Sequence, residues 1–250
     1  MKLLSPHDPA PFTWHRPDGK GNIILFCDHA GKKFPERLGR LGLEEHILDK
    51  HVAWDIGIAD MSIPLSEQMD APLLLASYSR LVIDCNRRLD DPSSIAQISD
   101  GIAIPGNRGL NALDRQLRAD EIFTPYHQTL ARKIREKVAG EASPYLISLH
   151  SFTPCMNGFH RPWHIGILWN EDDRLVKPLM AALEEEGDLC IGDNEPYSGR
   201  DRHGYSMEYH AETLKLPHVL LEIRQDLIDS PSKAQHWAER LYKIFEKVLP

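Results

Sequence analysis

Short runs of apolar residues alternate with longer amphipathic segments along the 250-residue chain. Several runs keep four or five apolar residues together, which is typical of strands buried on both faces of a sheet. These runs predict strands over residues 22–27, 72–77, 80–84, 145–149, 164–168, 189–191 and 218–222. The amphipathic segments predict mainly helical structure over residues 43–69, 111–138, 172–186, 205–214 and 231–248, with Pro64 breaking the first of these helices.

The C-terminal segment has the clearest helical pattern. Ser230 is a natural N-cap, and Pro231 suits the first helical position because its fixed φ fits the helix there. One face of the segment carries the apolar residues Ala234, Trp237, Leu241, Ile244, Phe245 and Val248. By contrast, residues 90–108 are rich in Ser, Asp, Gly and Pro, which indicates a long loop on the surface or over a site.

The alternation of strands and helices predicts the fold class. We expect an α/β protein with a mixed, mostly parallel central sheet flanked by helices on both faces. No segment has the composition of a linker, so residues 1–250 are expected to form a single domain. Hydrophobic residues make up 42% of the chain and charged residues 26%, which is enough to build a core without disulfides.

Charge and cysteine usage exclude several classes of function. A net charge of −8 argues against nucleic-acid binding, which concentrates Lys and Arg on phosphates. No apolar run approaches the length of a membrane helix, and the first ten residues lack a secretory signal, so we expect a cytoplasmic protein without a membrane partner. The four cysteines contain no C-x-x-C pair, which argues against a cysteine-built zinc site.

Polar residues follow four of the predicted strands directly. In an open α/β sheet, ligands bind outside the carboxyl ends of the strands, so these residues are the candidates for chemistry. They are Asp28 and His29, then Asp84, Asn86 and Arg87, then His150, and finally Glu222 and Arg224.

Two of these candidates are histidines that could share a metal ion. His29 and His150 with one carboxylate would make a three-ligand site that leaves a position open for water, as in catalytic zinc sites. H-E-x-x-H is absent, and neither His29 nor His150 begins an H-x-x-E motif, so the third ligand must come from elsewhere. We favour Asp55, which follows His51 by four residues on one predicted helical face, and keep Glu36 and His51 as alternatives. Asp55 could instead orient a ligand histidine.

The remaining candidates concern proton transfer and substrate binding. Glu222 at the end of an apolar strand could act as a general base, or it could form an ion pair with Arg224. Arg87, together with Asn86, could hold a substrate carboxylate through two parallel hydrogen bonds. Tyr197 and Arg200 lie in a turn-rich stretch that fits a substrate loop.

A helical segment downstream of this loop places two further polar residues on one face. Ser206 and His210 are four residues apart, so both could face the pocket. Ser206 has no G-x-S-x-G elbow around it, which argues against a serine nucleophile.

As a set, these segments resemble the N-formylglutamate amidohydrolase family over nearly the whole chain. The resemblance is carried by DHAG at 28–31, HVAWDIG at 51–57, SRLVIDCNR at 79–87, ISLHSF at 147–152, NEPYS at 194–198 and LEIRQD at 221–226. The family is similar in fold to zinc carboxypeptidases and aspartoacylases. Their shared pattern implies that His29 and His150 are metal ligands, that Asn86 and Arg87 meet the substrate carboxylate, and that Glu222 is catalytic.

The resemblance also implies a reaction and a cofactor. We expect a hydrolase with one zinc ion that cleaves the amide bond of a small acidic N-acyl amino acid, with N-formyl-L-glutamate yielding formate and L-glutamate. The alternatives are an amidase acting on another N-acyl amino acid or small peptide, and an inactive binding protein of the same fold. The acyl group, the amino acid, the physiological metal and the oligomeric state stay open at this point.

Overall fold

The computed structural model describes residues 2–140, 143–201 and 204–249. Its strands are β1 (Phe12–His15), β2 (Ile23–Cys27), β3 (Leu73–Ala76), β4 (Ile98–Ser99), β5 (Ile102–Ala103), β6 (Tyr145–Phe152), β7 (Cys155–Met156), β8 (Phe159–His160), β9 (Ile165–Leu168), β10 (Ile191–Asp193) and β11 (His218–Arg224). Its α-helices are α1 (Glu45–Leu48), α2 (Ile58–Gln68), α3 (Ala112–Arg118), α4 (Thr124–Ala139), α5 (Val176–Glu184), α6 (Tyr205–Met207) and α7 (Pro231–Val248). Stretches of π-helix join α3 to α4 (Ala119–Phe123) and extend α6 (Glu208–Glu212).

Seven strands form the central sheet, in the order β1-β3-β2-β6-β11-β9-β10. The middle strands β3, β2, β6 and β11 are parallel, whereas β1 runs antiparallel to β3 and β9 runs antiparallel to β11. The expected mixed, mostly parallel sheet is therefore confirmed. Two short hairpins, β4–β5 and β7–β8, lie outside it.

Helices cover both faces of this sheet. On one face, the odd-numbered residues of β6 and β11, such as Ile147 and Leu221, pack with α2, α5 and α7. On the other face, the even-numbered residues, such as Leu146 and Leu220, pack with α4 and the segments around α6. Because side chains alternate along a strand, His150 and Glu222 project on this second face.

The register of the two middle strands decides which side chains meet. His150 of β6 and Glu222 of β11 are directly paired residues in the parallel ladder. Paired residues on neighbouring strands place their side chains on the same face, a few ångströms apart. The sheet alone therefore brings a histidine and a carboxylate together from positions 72 residues apart in the chain.

The strand predicted at residues 80–84 is wrong. The segment forms a turn in which the Val82 N–H donates to the Ser79 carbonyl at 2.9 Å and the Asp84 N–H donates to the Ser94 carbonyl at 2.8 Å. Leu81, Val82 and Ile83 are nevertheless buried. A short apolar run indicates burial, but by its pattern alone it does not distinguish a strand from a buried turn.

The long helix predicted at residues 43–69 is also different in the structure. Turns separate α1 from α2, and Pro64 lies inside α2 instead of ending it. A proline in a helix removes one backbone hydrogen bond. Here Ile58, Met61 and Leu65 are fully buried on the same helix, and this burial outweighs the loss.

In the described ranges, no helix is both long enough and apolar enough to cross a membrane. The expectation that residues 1–250 form one domain stays a prediction.

Candidate metal and substrate site

A cavity of about 450 Å³ opens at the carboxyl ends of β2, β6 and β11. This is the edge of a parallel sheet where ligands are expected. Most of the candidate residues from the sequence meet there. The described residues on its walls include His29, Asp55, Asn86, Arg87, His150, Tyr197 and Glu222.

Backbone contacts bring Asp55 next to both histidines. The Asp55 N–H donates to the His29 carbonyl at 2.9 Å, which fixes the turn before α2 against the end of β2. The Ser151 N–H donates to Asp55 Oδ2 at 3.2 Å, which ties the same turn to β6. Gly57 follows with a φ of 78°, and a β-carbon there would lie 2.0 Å from the Ile228 carbonyl oxygen, so the turn requires glycine.

The two imidazoles converge on one carboxylate oxygen. His29 Nδ1 lies 3.6 Å and His150 Nδ1 2.8 Å from Asp55 Oδ2. The ring centroids are 4.8 Å apart. His29, Asp55 and His150 each offer one ligand atom, and these atoms all lie within 4.8 Å of one another. His29 Nδ1 is buried without a hydrogen-bond partner among the described residues. The donor set therefore fits a metal ion held by two nitrogens and one oxygen.

Each histidine has a second carboxylate at its other nitrogen. His29 Nε2 lies 2.7 Å from Asp84 Oδ1, and His150 Nε2 lies 3.5 Å from Asp28 Oδ2. Histidines that bind a metal usually donate their other N–H to a carboxylate, which fixes the tautomer and the orientation of the ring. Asp84 and Asp28 stand where such orienting groups are needed.

Neighbouring side chains hold these two carboxylates in turn. The Arg80 Nη2 group donates to Asp84 Oδ2 at 2.8 Å, and the Asn86 N–H donates to Asp84 Oδ1 at 2.8 Å. The Ser206 hydroxyl donates to Asp28 Oδ1 at 2.9 Å. The hydroxyl of Ser206 is therefore engaged with Asp28 behind the cavity and has a structural role.

The charges of this buried cluster favour a cation. Burial alone would raise the pKa of Asp55, but the nearby histidines outweigh it and hold that pKa below its usual range. Burial alone would lower the pKa of His150, but Asp28 and Asp55 raise it to about 10. The raised pKa of His150 shows that carboxylates dominate the field around this imidazole. A divalent cation placed between the imidazoles would neutralise part of this excess negative charge.

Glu222 lies beside the cluster with one oxygen unpaired. It is 7% exposed, and its Oε2 atom has no hydrogen-bond partner among the described residues. Burial raises its pKa to about 7, an effect that His150 opposes and Asp55 reinforces. The alternative ion pair with Arg224 is not formed, because Arg224 pairs with Asp226 at 2.8 Å. Glu222 is therefore a buried carboxyl group able to exchange a proton near neutral pH.

A tight loop after β10 places Tyr197 at the mouth of the cavity. Asn194 Oδ1 accepts from the Trp169 N–H at 3.0 Å and from the Gly199 N–H at 2.8 Å, which closes the loop. Gly166 of β9 lies beneath it, and a β-carbon there would be 2.0 Å from the Glu195 carbonyl oxygen. Close approach of the loop to the sheet thus depends on a residue without a side chain.

Asn86 and Arg87 form another wall of the cavity. The Ser206 N–H donates to Asn86 Oδ1 at 3.0 Å, and Arg87 Nη1 donates to the Asn86 carbonyl at 2.9 Å. These contacts orient the Asn-Arg pair, which directly follows the segment 80–84 that was predicted as a strand and forms a turn. The wall therefore offers a guanidinium group and an amide to an anionic ligand.

Two residues expected to bind substrate, Arg200 and His210, do not line the cavity. Arg200 stacks over Trp169, with its guanidinium carbon 4.9 Å from the ring, and lines a neighbouring cavity. His210 is 1% exposed, and its Nε2 atom lies 2.9 Å from His127 Nδ1, behind the site. Helix α6 and its π-helical extension turn this residue inward, towards α4.

The alternative third ligands do not lie next to His29 and His150. Glu36 is exposed and accepts from the Ser5 hydroxyl at 2.9 Å. His51 lies on the cavity wall but pairs with Asp100 at 3.2 Å. The helical face expected to join His51 and Asp55 is absent, because turns occupy this stretch. Of the three options, Asp55 alone belongs, among the described residues, to the group whose ligand atoms lie close enough together to hold a metal ion.

Sequence reasoning missed two arginines. Arg80 lines the cavity and bonds Asp84, and its spacing of four residues from that aspartate was the available signal. Arg161 is 8% exposed and donates to the Tyr197 hydroxyl at 3.1 Å. No local pattern identifies Arg161, because its contacts come from a hairpin and a distant loop.

Comparison with known proteins gives concordant matches. The family model described as N-formylglutamate amidohydrolase matches residues 21–229. The N-formylglutamate deformylase of Pseudomonas aeruginosa is 23% identical over 222 residues, which cover 83% of this chain and 82% of that protein. The match to the family model covers more than half of the chain.

Two solved structures share the fold. A gene product of Agrobacterium tumefaciens superposes with a TM-score of 0.96 and 32% identity, over 99% of this chain and 98% of that chain. An N-formylglutamate amidohydrolase from Ralstonia eutropha superposes with a TM-score of 0.64 and 19% identity, over 94% and 98% of the two chains. At 19% identity, the second likeness bears on the fold alone.

Proposed function

The chain belongs to the N-formylglutamate amidohydrolase family, and from this premise we propose that it is a zinc-dependent enzyme that hydrolyses N-formyl-L-glutamate to formate and L-glutamate. The observation that carries the proposal is the convergence of His29 and His150 on Asp55 Oδ2, at 3.6 and 2.8 Å, in the cavity that Glu222 also lines.

His29, Asp55 and His150 are the proposed metal ligands. A zinc ion bound there would supply a Lewis acid for the amide carbonyl and lower the pKa of water towards about 7. Asp84, hydrogen-bonded to His29 Nε2 at 2.7 Å, would hold this imidazole in the orientation that a metal ion requires, and Asp28 lies 3.5 Å from His150 Nε2, within ion-pair distance. These contacts support the proposal because a carboxylate lies next to the outer ring nitrogen of each histidine.

Glu222 is the proposed general base and acid. Its carboxylate accepts a proton from the attacking water and then returns it to the departing amide nitrogen. The pKa of about 7 suits both steps, because the group holds and releases a proton with little cost near neutral pH. The free Oε2 atom leaves this side chain able to contact water or substrate.

Arg87 and Asn86 are proposed to hold one carboxylate of the substrate. A guanidinium group offers two parallel N–H donors to a carboxylate and so fixes its direction as well as its charge. Orientation of this kind can lower the barrier by about 7–11 kcal/mol at best. Arg80 also lines the cavity. It is paired with Asp84, however, and so acts on the proposed metal ligands before it acts on substrate.

The test is a substrate panel on the purified protein, combined with metal analysis. We expect one zinc ion per chain, activity on N-formyl-L-glutamate above that on other N-acyl amino acids, and loss of activity when a chelator removes the metal. The fold should survive this treatment, because the core layers on both faces of the sheet consist of apolar residues and include none of the three ligands. Full activity in the metal-free protein would refute the zinc proposal, and a preference for another N-acyl group would refute the substrate.

A further inference from the structure

Arg161 is a buried cation beside the cavity without an anionic partner. It is 8% exposed, and no Asp or Glu in the described part of the chain forms an ion pair with it. Its guanidinium group instead donates to the Tyr197 hydroxyl at 3.1 Å, to Met156 Sδ at 3.0 Å and to the Thr153 carbonyl at 3.4 Å. A buried charge that only neutral groups contact is costly, and an incoming anion would remove that cost.

The three acceptors of the Arg161 guanidinium group belong to the wall of the cavity, although Arg161 itself is not one of the residues that line it. Thr153, Met156 and Tyr197 line it, and so does Phe152, whose ring lies 5.8 Å from the guanidinium carbon. The Tyr197 ring lies 4.9 Å from the same carbon. Because the Tyr197 oxygen accepts from Arg161, its own O–H remains available to donate to a ligand.

Arg118 shows how a buried arginine with a structural role is satisfied in this protein. Its Nη1 group donates to the Val82 carbonyl at 2.8 Å and to Asn107 Oδ1 at 2.7 Å, and its Nη2 group donates to the Gly106 carbonyl at 3.4 Å. None of these three partners of Arg118 lines the cavity. Arg161 has weaker acceptors, namely a sulfur atom, a distant carbonyl and a hydroxyl, and it adjoins the cavity.

We propose that Arg161 and Tyr197 form a second anion subsite, which binds the second carboxylate of a dicarboxylic N-acyl amino acid. The inference rests on the proposed function, since it divides the two carboxylates of that substrate between Arg87 and Arg161. Arg87 comes from the turn that follows β3, and Arg161 follows the β7–β8 hairpin, so separate elements supply the two cations. The pair makes the protein selective for dicarboxylic over monocarboxylic substrates.

The test compares two substrates that differ in one charge. N-formyl-L-glutamate and N-formyl-L-glutamine have nearly the same shape, and we expect the wild-type protein to favour the former about 100-fold in kcat/KM. In Arg161→Met this preference should fall below about 10-fold, through loss on the glutamate substrate alone. Arg174→Met removes an exposed arginine remote from the cavity and should leave the preference unchanged.

Two results would overturn the subsite. One is an unchanged preference in Arg161→Met, and the other is an equal loss on both substrates, which would indicate a structural role. If Arg161→Met does not fold, Tyr197→Phe decides the matter, because it keeps the ring and removes only the hydroxyl. We expect the preference of this variant to drop by roughly 5-fold or more, and an unchanged value would refute the proposal.

A binding measurement separates this inference from the proposed function. If the wild-type protein hydrolyses neither substrate, the proposed function fails, and calorimetry with glutarate and its monoamide, glutaramate, then tests the subsite alone. Tighter binding of glutarate by the wild-type protein, lost in Arg161→Met, would support the subsite. Equal binding of the two compounds by the wild-type protein would refute it.

Discussion

Glu222 is the residue on which sheet register, burial and charge act together. The ladder between β6 and β11 sets it beside His150, and burial raises its pKa to about 7. An exposed glutamate has a pKa of about 4.3 and is a poor proton carrier at neutral pH. The environment of Glu222 therefore suits the chemistry proposed for it.

Glu222→Gln should retain metal and lose turnover. The amide has the same shape but cannot accept the proton, so we expect kcat/KM to fall by about 10²–10⁴-fold with the zinc content unchanged. Zinc analysis and initial rates on N-formyl-L-glutamate measure the two quantities. Glu239→Gln, which alters an exposed residue of α7, is the matched control. Normal turnover in Glu222→Gln would remove this residue from the mechanism.

Asp84→Asn should weaken metal binding without removing a ligand. The Asp84 carboxylate lies 2.7 Å from His29 Nε2, and the substitution removes the charge that orients this ring. We expect zinc affinity to fall by about 10–100-fold, measured by competition with a chromophoric chelator. Asp60→Asn, at an exposed position of α2, should leave the affinity at the wild-type value. An unchanged dissociation constant in Asp84→Asn would show that the histidine is oriented by other groups.

At the scale of elements, the loop after β10 depends on its fit against β9. Gly166 pairs with Glu222 across the antiparallel ladder and lies directly under the Glu195 carbonyl. A side chain at this position would push the loop away from the sheet. The strand therefore determines where Tyr197 stands over the cavity.

Gly166→Ala should displace this loop and weaken catalysis. The added β-carbon would be 2.0 Å from a backbone oxygen that no side-chain rotation can move. A displacement of about 1 Å in a substrate-positioning element can lower kcat/KM on the order of 10²-fold. Kinetics on N-formyl-L-glutamate, with zinc content as a check, provide the measurement. Gly140→Ala, where the β-carbon meets only the Lys137 carbonyl at 3.4 Å, is the control, and equal rates in the two variants would contradict the account.

At the scale of the whole molecule, two buried histidines behind the site link folding to pH. His127 Nδ1 lies 2.9 Å from His210 Nε2, and the His127 Nε2 group lies 2.8 Å from the Cys85 carbonyl. Burial lowers the pKa of His127 to about 4. Burial, together with His127, lowers the pKa of His210 to about 3. Both residues therefore stay neutral in the folded protein over a pH range in which unfolded histidines take up protons.

The contribution of these two histidines to the free energy of unfolding should therefore decrease as the pH falls below about 6.5, the ordinary histidine pKa. Between this value and the folded pKa of about 4, the unfolded chain binds more protons than the folded protein, so stability rises with pH. Near pH 5, each buried neutral histidine contributes a slope of about 1.4 kcal/mol per pH unit. Urea unfolding of His210→Gln at several pH values should show a shallower dependence than the wild-type protein. His236→Gln, at an exposed position, is the control, and identical slopes in His210→Gln and wild type would contradict the assignment.

Local pattern in the sequence was sufficient to predict much of the fold. The buried strands β2, β3, β6, β9 and β11 coincide with apolar runs, and α7 spans the predicted residues. The same runs indicated which polar residues stand at the carboxyl edge of the sheet, among them His29, His150 and Glu222. These features depend on residues that are close together in the chain, so their signal is readable without tertiary contacts.

Only the tertiary structure decided how these residues combine. It placed Asp55 beside the histidines through a turn instead of a helix, gave Asp84 and Asp28 their contacts with the outer ring nitrogens, and turned His210 away from the cavity. It also placed Arg161 next to Tyr197. The physical reason is that such contacts join residues far apart in the chain, and sheet register and loop closure, which no local pattern encodes, determine their distances.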